Sequence, residues 1–259
     1  MMREIDEKLA CSLTAETTEL LPFLPYLLQD LWELGSSPRD IISLMKKHIP
    51  MSKDVKVLDL ACGKGAVSIN IAKELGLNVY GFDLLPEFIE YAVKKADEFG
   101  VSALCHFEIG DVNEVVNTQR DYDCAIFGAA GNILGSPRET LAKLSKTVKL
   151  GGFIIIDEGY FPDDGSGEDV KYQNYEFLYR GQWLRLFEDN GLTLVEEMAN
   201  IEDYDFDADN RAIAARAQEL IAKHPEKRAI FEGYVQSQLN ECDDLENSIV
   251  AVTWILQKA

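Results

Sequence analysis

Val57-Leu58-Asp59-Leu60-Ala61-Cys62-Gly63-Lys64-Gly65-Ala66 is the stretch that decides how the rest of the chain is read. An apolar run ends in a loop of small residues, and a helical pattern follows to about Leu75. The spacing predicts a strand, a tight turn and a helix. Glycines let the backbone leave the strand sharply and approach a ligand closely. A helix starting near Gly65 adds unpaired N–H groups and a positive dipole end. By itself such a loop serves a dinucleotide or a nucleoside equally well.

The same alternation continues outward. Asn78 to Asp83 reads as a second strand, and Pro86 opens a helix that ends near Gly100. Leu104–Ile109 and Tyr122–Phe127 follow as the third and fourth strands. Pro137 to Leu150 reads as a helix carrying Leu141, Leu144 and Val148 on one face, closed by Gly151 and Gly152 before the apolar fifth strand Phe153–Ile156. Alternating strands and helices, with strands apolar throughout, imply a parallel sheet covered on both faces. Beyond an acidic loop at 160–173, the pattern predicts a helix over Asn174–Asn190, a strand over Leu192–Met198, helical residues 209–245 and a last strand over Ser248–Leu256. Ile213, Leu220 and Ile221 mark one face of the helical insertion, and Phe231, Val235 and Leu239 another. Leu20 to Ile49 reads as two apolar helices. The expected organisation is a single domain over 1–259. It comprises an N-terminal helical cover (1–50), a ligand-binding core (51–160) and a C-terminal half of the sheet (161–259) with a helical insertion at about 205–245.

The 259 residues, 47% hydrophobic and 27% charged, have the composition of a globular protein. No apolar run is long enough for a membrane span, and the N-terminus carries no export signal. With 25 Lys and Arg against 45 Asp and Glu, the formal net charge is −20. A field of that sign repels phosphate backbones and anionic lipid, so neither nucleic acid nor membrane is the expected partner. The five cysteines are scattered and form no C-x-x-C pair, which points to reduced thiols in a cytoplasmic protein. Cys62 is expected to fill space rather than act as a nucleophile.

Two acids sharpen the reading of the loop. Asp83 ends the second strand, where a carboxylate can accept both ribose hydroxyls, and Asp111 ends the third, where an adenine edge can be read. Together with Asp59-Leu60-Ala61-Cys62-Gly63-Lys64-Gly65, these residues resemble the class I S-adenosylmethionine-dependent methyltransferases. Phe127-Gly128-Ala129-Ala130-Gly131-Asn132 resembles that family's segment at the methionine end, and Leu150-Gly151-Gly152-Phe153 its late double-glycine motif. The resemblance implies a Rossmann-like, doubly wound α/β sheet of seven strands in order 3-2-1-4-5-7-6, the last antiparallel. It implies S-adenosylmethionine as cofactor, S-adenosylhomocysteine as product, and cofactor contacts at Asp59, Ala61, Gly63, Gly65, Asp83, Leu84, Asp111, Val112, Phe127 and Gly128. Ala61 and Ala66 stand where many members have glycine.

A nicotinamide oxidoreductase is the rival reading, but its G-x-G-x-x-G fingerprint fails here because Ser68 stands where the third glycine belongs. Asp59 also suits a cationic sulfonium better than a pyrophosphate. Methyl transfer from a sulfonium needs alignment more than a catalytic group, so no catalytic residue is fixed; Asp157, Glu158 and Tyr160 are candidates for a base. An acidic metal-ligand set after the fourth strand is missing, and a [DN]-P-P-[YF] motif is absent. Tyr204–Asn210 does not fit a calcium loop, because Ala208 and Ala214 occupy the positions that need Gly and Glu. No metal is expected. Tyr172, Tyr175, Tyr179 and Trp183, at helical spacing, are candidates for an aromatic wall, with Trp32, Asn132 and Tyr160 as further acceptor contacts. Leu24, Leu27, Leu28, Leu31 and Trp32 are expected on the first helix of the cover, as a lid, a packed face or a homodimer contact. The acceptor is expected to be a small molecule. A non-catalytic or regulatory cofactor-binding subunit, and transfer of another alkyl group from a modified sulfonium, are the alternatives.

Overall fold

The apolar run Val57–Leu60 becomes the centre of a sheet in a computed structural model that describes residues 2–163, 170–172, 175, 177–199 and 206–259. β1 (Lys56–Leu60) lies between β2 (Asn78–Asp83) and β4 (Tyr122–Gly128), parallel to both. β3 (Cys105–Ile109) is outermost beyond β2, and β5 (Val148–Phe161) follows β4 on the other side. β8 (Val250–Lys258) runs antiparallel to β5 and to β7 (Leu192–Ala199). The order is β3-β2-β1-β4-β5-β8-β7, with the two-residue β6 (Leu178–Tyr179) pairing with the end of β5. Apart from β6, this is the expected seven-strand order, including the antiparallel last strand.

Strand side chains alternate between faces with period two, and both faces are buried. Leu58, Leu60, Ala125, Phe127, Ile154, Ile156 and Trp254 face α6 (Val112–Thr118), α7 (Pro137–Thr147) and α8 (Arg180–Asp189). Val57, Val79, Ile126, Ile155 and Ile255 face α3 (Pro38–His48), α4 (Ala66–Leu75) and α5 (Pro86–Glu98). A third apolar cluster unites α1 (Met2–Ser12), the one-turn α2 (Leu24–Leu27), α9 (Phe206–Lys223) and α10 (Arg228–Asn247) into a cover.

Several boundaries differ from the sequence expectation. α7 stops at Thr147, because Val148 is extended and pairs with Tyr122 at the start of β5. The register then shifts between Tyr122 and Cys124, and Gly151 takes a φ of 73° at the irregularity. The helix expected from Asn174 begins at Arg180; Leu178 and Tyr179 are strand, and Asn174 lies outside the described residues. The helical stretch 209–245 is two helices, since Pro225 lacks an N–H and its ring clashes with a preceding turn. Leu239, expected on an apolar face, is exposed. In the cover, Pro22 and Pro25 limit the first expected helix to a 3-10 turn (Thr18–Phe23) and α2, which leaves Leu28, Leu31 and Trp32 beyond it. Leu24, Leu27, Leu28 and Leu31 pack with α9 and α10. Within the acidic loop 160–173, residues 164–169 and 173 lie outside the described residues, as do 204 and 205 of the Tyr204–Asn210 stretch.

Candidate functional site

Parallel strands gather their carboxyl ends along one rim, and ligands of open α/β sheets bind there. Here β1, β2 and β4 end in a narrow pocket lined by Ala61, Gly63, Asp83, Leu84, Asp111, Val112 and Gly128. Turning off β1 requires unusual backbone: Ala61 has φ 56°, Gly63 φ 53° and Gly65 φ 75°. Ala61, where a glycine is usual, is therefore a non-glycine residue in the left-handed region. Ala66 lies inside α4, where glycine is not needed.

Asp83 organises the turn. Its Oδ2 accepts the Gly63 N–H at 2.8 Å and its Oδ1 the Leu85 N–H at 3.0 Å. Burial pushes the carboxyl upward from its usual range, while those N–H groups favour the ionised form. Asp111 caps α6, its Oδ1 accepting from the Asn113 N–H at 2.8 Å. Asp59 is buried, its Oδ2 accepting from the Ser68 hydroxyl at 2.5 Å, and burial pushes its pKa up to about 7. It lines a second small pocket with Trp32, Ser36, Cys62 and Gly128. Burial also pushes the Cys62 thiol well up, the wrong direction for a nucleophile.

Two of the ten expected cofactor positions stand back from these pockets. A Cβ on Gly65 would come within 2.9 Å of Ala92 and of the Phe107 ring, so that glycine permits close packing of the start of α4. Phe127 is buried in the core.

Next to the narrow pocket lies a cleft of about 670 Å³. Ser12 and Ala129 line both. Asn132, Asp157, Glu158, Tyr172 and Tyr175 line the cleft. Asp157 Oδ1 accepts from the Thr253 hydroxyl at 2.6 Å, and burial pushes its pKa up to about 6. Glu158 accepts a hydrogen bond from the Tyr175 hydroxyl, and burial pushes its pKa up to about 8.

The expected aromatic wall on one helix does not form. Tyr175 reaches the cleft from the segment before β6, whereas Tyr179 packs on Phe161 and Trp183 is buried against Trp254. Tyr160 is buried and stacked on Trp254, away from both cavities. Trp32 donates from Nε1 to the Lys64 carbonyl at 3.2 Å.

Sequence reasoning missed the roof and its anchor. Ile5, Lys8, Leu9, Ser12 and Leu13 of the N-terminal segment line the narrow pocket; Ile5, Leu9 and Leu13, four residues apart, were the available signal. Lys64, in the glycine loop, is buried and donates to the Leu28 and Leu31 carbonyls at 2.5 Å each. Its Nζ also lies over the Phe88 and Tyr91 rings, at 5.7 and 5.0 Å from their centroids. Among the described residues, no group of three His, Cys, Asp or Glu is placed to hold a metal ion, and no helix is long and apolar enough to cross a membrane.

A family model described as a methyltransferase domain matches residues 51–191, just over half of the chain. The uncharacterized protein YjhP of Escherichia coli strain K12 is 29% identical over 164 residues, covering 60% of this chain and 64% of that protein. A protein-L-isoaspartate O-methyltransferase of Thermococcus onnurineus is 25% identical over 121 residues, 47% of this chain and 52% of that enzyme. The chain thus spans between about half and just under two thirds of the lengths of these curated relatives. A methyltransferase from Geobacter sulfurreducens, crystallised with S-adenosyl-L-homocysteine, superposes with a TM-score of 0.75 at 19% identity over 92% of this chain and 98% of that one. At that identity the likeness is one of fold.

Proposed function

The chain belongs to the methyltransferase-domain family, and from that premise we propose that it transfers a methyl group from S-adenosylmethionine to a small organic acceptor, releasing S-adenosylhomocysteine. The observation that carries this reading is the pair of cavities sharing Ser12 and Ala129: a narrow one on the glycine loop and a wide one beyond it. The narrow pocket fits the cofactor's chemistry. In this reading Asp83 receives the ribose hydroxyls, Asp111 and Val112 the adenine, and the backbone around Ala61, Gly63 and Gly128 the methionine end, a reading supported by their all lining the one pocket. Gly128 has no room for a side chain, since a Cβ there would meet Ser36 Oγ at 2.1 Å and Asp157 Oδ2 at 2.9 Å.

When bound, the sulfonium supplies an activated methyl group and a neutral leaving group. The protein's part is to hold the acceptor in line and keep water out. The cover provides the exclusion, with the N-terminal segment over the pocket and Lys64 tying the glycine loop to the carbonyls of Leu28 and Leu31. A net charge of −20 supports a small acceptor over nucleic acid. The test is a reaction of the protein with methyl-labelled S-adenosylmethionine and a fractionated cell extract. Label in a small molecule is expected; label confined to protein or RNA contradicts the proposal.

A further inference from the structure

We propose that the wide cleft receives its acceptor as an organic ammonium ion, that Glu158 takes a proton from it, and that methylation falls on nitrogen. This deepens the methyltransferase reading and rests on it. The charge of the walls is the first support. The described lining carries six acidic side chains (Glu33, Asp40, Glu74, Asp157, Glu158 and Glu241), whose ionised forms a cation would favour, against one guanidinium, Arg39, whose Nε lies 3.4 Å from Asp40. Lys46 engages Glu74 at 2.8 Å and the Thr14 hydroxyl engages Glu241 at 2.6 Å, so the acids near β5 carry the argument.

There Asp157 Oδ2 is fully buried without a well-formed hydrogen bond among the described residues, the Ser36 hydroxyl beside it favouring the ionised carboxylate. A buried acceptor short of partners is costly, and a cation in the cleft supplies a countercharge that favours it. An acidic acceptor would instead bring a like charge against these carboxylates. The second support is the aromatic wall of Tyr172, Tyr175 and Phe177, with the last two rings 4.7 Å apart. Aromatic faces attract organic cations and also hold an apolar body.

Position is the third support. Asp157 pairs in register with Gly128, which lines the narrow pocket, and Glu158 follows it along β5 into the cleft. Glu158 therefore stands on the acceptor's side of the boundary between the two cavities. Burial pushes Glu158 up to about 8 in the ligand-free protein; a cation in the cleft favours its ionised form, and that ionised carboxylate is a stronger base than an exposed one.

The step balances. Glu158 takes a proton from the ammonium nitrogen, and the freed lone pair forms the N–C bond to the methyl group as the C–S bond breaks and its electron pair stays on sulfur. The proton passes from Glu158 to solvent through the cleft, and the product leaves as the methylated ammonium.

Shape-matched probes test this on protein loaded with S-adenosylhomocysteine for binding and with labelled S-adenosylmethionine for turnover. A suitable set is phenethylamine, phenethyl alcohol and hydrocinnamate, extended to the corresponding indole-bearing and alkyl triplets. Amines are expected to bind at least about ten-fold tighter than their alcohol and carboxylate partners and to be the molecules that gain the label. Glu158→Gln, which keeps an oxygen for Tyr175, is expected to retain S-adenosylhomocysteine affinity while kcat falls at least about hundred-fold and KM moves far less. A preference for alcohols or carboxylates, no amine bound by protein that binds S-adenosylhomocysteine, or an unchanged kcat in Glu158→Gln overturns the inference and leaves the cofactor reading standing. Failure of the wild-type protein to bind S-adenosylhomocysteine strikes the methyltransferase reading itself.

Discussion

The narrow pocket and the wide cleft adjoin each other but are built in opposite ways. The pocket's floor comes from short runs at strand ends: Ala61 and Gly63 after β1, Asp83 and Leu84 after β2, Asp111 and Val112 after β3, Gly128 at the end of β4. Each run owes its conformation to near neighbours, as Asp83 holding Gly63 and Leu85 shows. The cleft joins Asn132, Glu158 and Thr253 of the sheet and its rim to Cys11, Glu33 and Glu241 of the cover, sets that meet only after the cover has docked on the sheet. A site for a common cofactor can stay fixed in local motifs while a site for a particular acceptor is assembled from additions to the fold.

The largest expected effect falls on the pocket alone. Asp83→Ala removes the carboxylate that shapes the turn and, on the proposed function, receives the ribose. It should weaken S-adenosylhomocysteine binding by about 2–3 kcal/mol in calorimetry, as expected for charge-assisted hydrogen bonds. Amine binding to the cleft should change much less, and an equal loss at both would erase the contrast between the two regions. Next comes the join between them. Lys64→Met strips the donor from two carbonyls of the cover, so urea unfolding should report a loss of about 2 kcal/mol.

The buried acids of both regions give a pH signature. Asp59, Asp157 and Glu158 are raised by burial to about 7, about 6 and about 8. The folded protein therefore holds protons that the unfolded chain releases near pH 4. Their contribution to stability is full below that point and is lost as pH rises through the raised values. Thermal melts of the ligand-free protein should show a Tm that falls from about pH 5.5 to about pH 7.5. Asp157→Asn should flatten the slope, and a rise over this range contradicts the assignment of buried, raised carboxyls. The smallest effect is at Ala61, whose φ of 56° costs a non-glycine residue about 1–2 kcal/mol, partly offset by the unfolded-state entropy of glycine. Ala61→Gly should gain up to about 1 kcal/mol in urea unfolding.

What was legible in the sequence follows the same division. Val57–Ala66, Asp83 and Asp111 carry their meaning in local spacing, and the strand order follows from the family they resemble. The Tyr172–Trp183 spacing misled, because the extended Leu178–Tyr179 pair beside β5 breaks the helical period that those aromatics suggest. Pro225 was a visible helix stop that the apolar pattern on either side overrode. The N-terminal roof and the Lys64 anchor were hidden for a different reason: a lysine donating to carbonyls more than thirty positions away leaves no trace in spacing. Glu158 was visible as a candidate, but its tie to Tyr175 exists only in three dimensions.

The central claim, that the glycine-loop pocket holds a sulfonium nucleoside, is tested most directly by titrating S-adenosylmethionine, S-adenosylhomocysteine and NADH separately into the wild-type protein in a calorimeter. Micromolar binding of the first two with no heat from NADH is the expected result. NADH binding, or silence from both sulfur nucleosides, would contradict it.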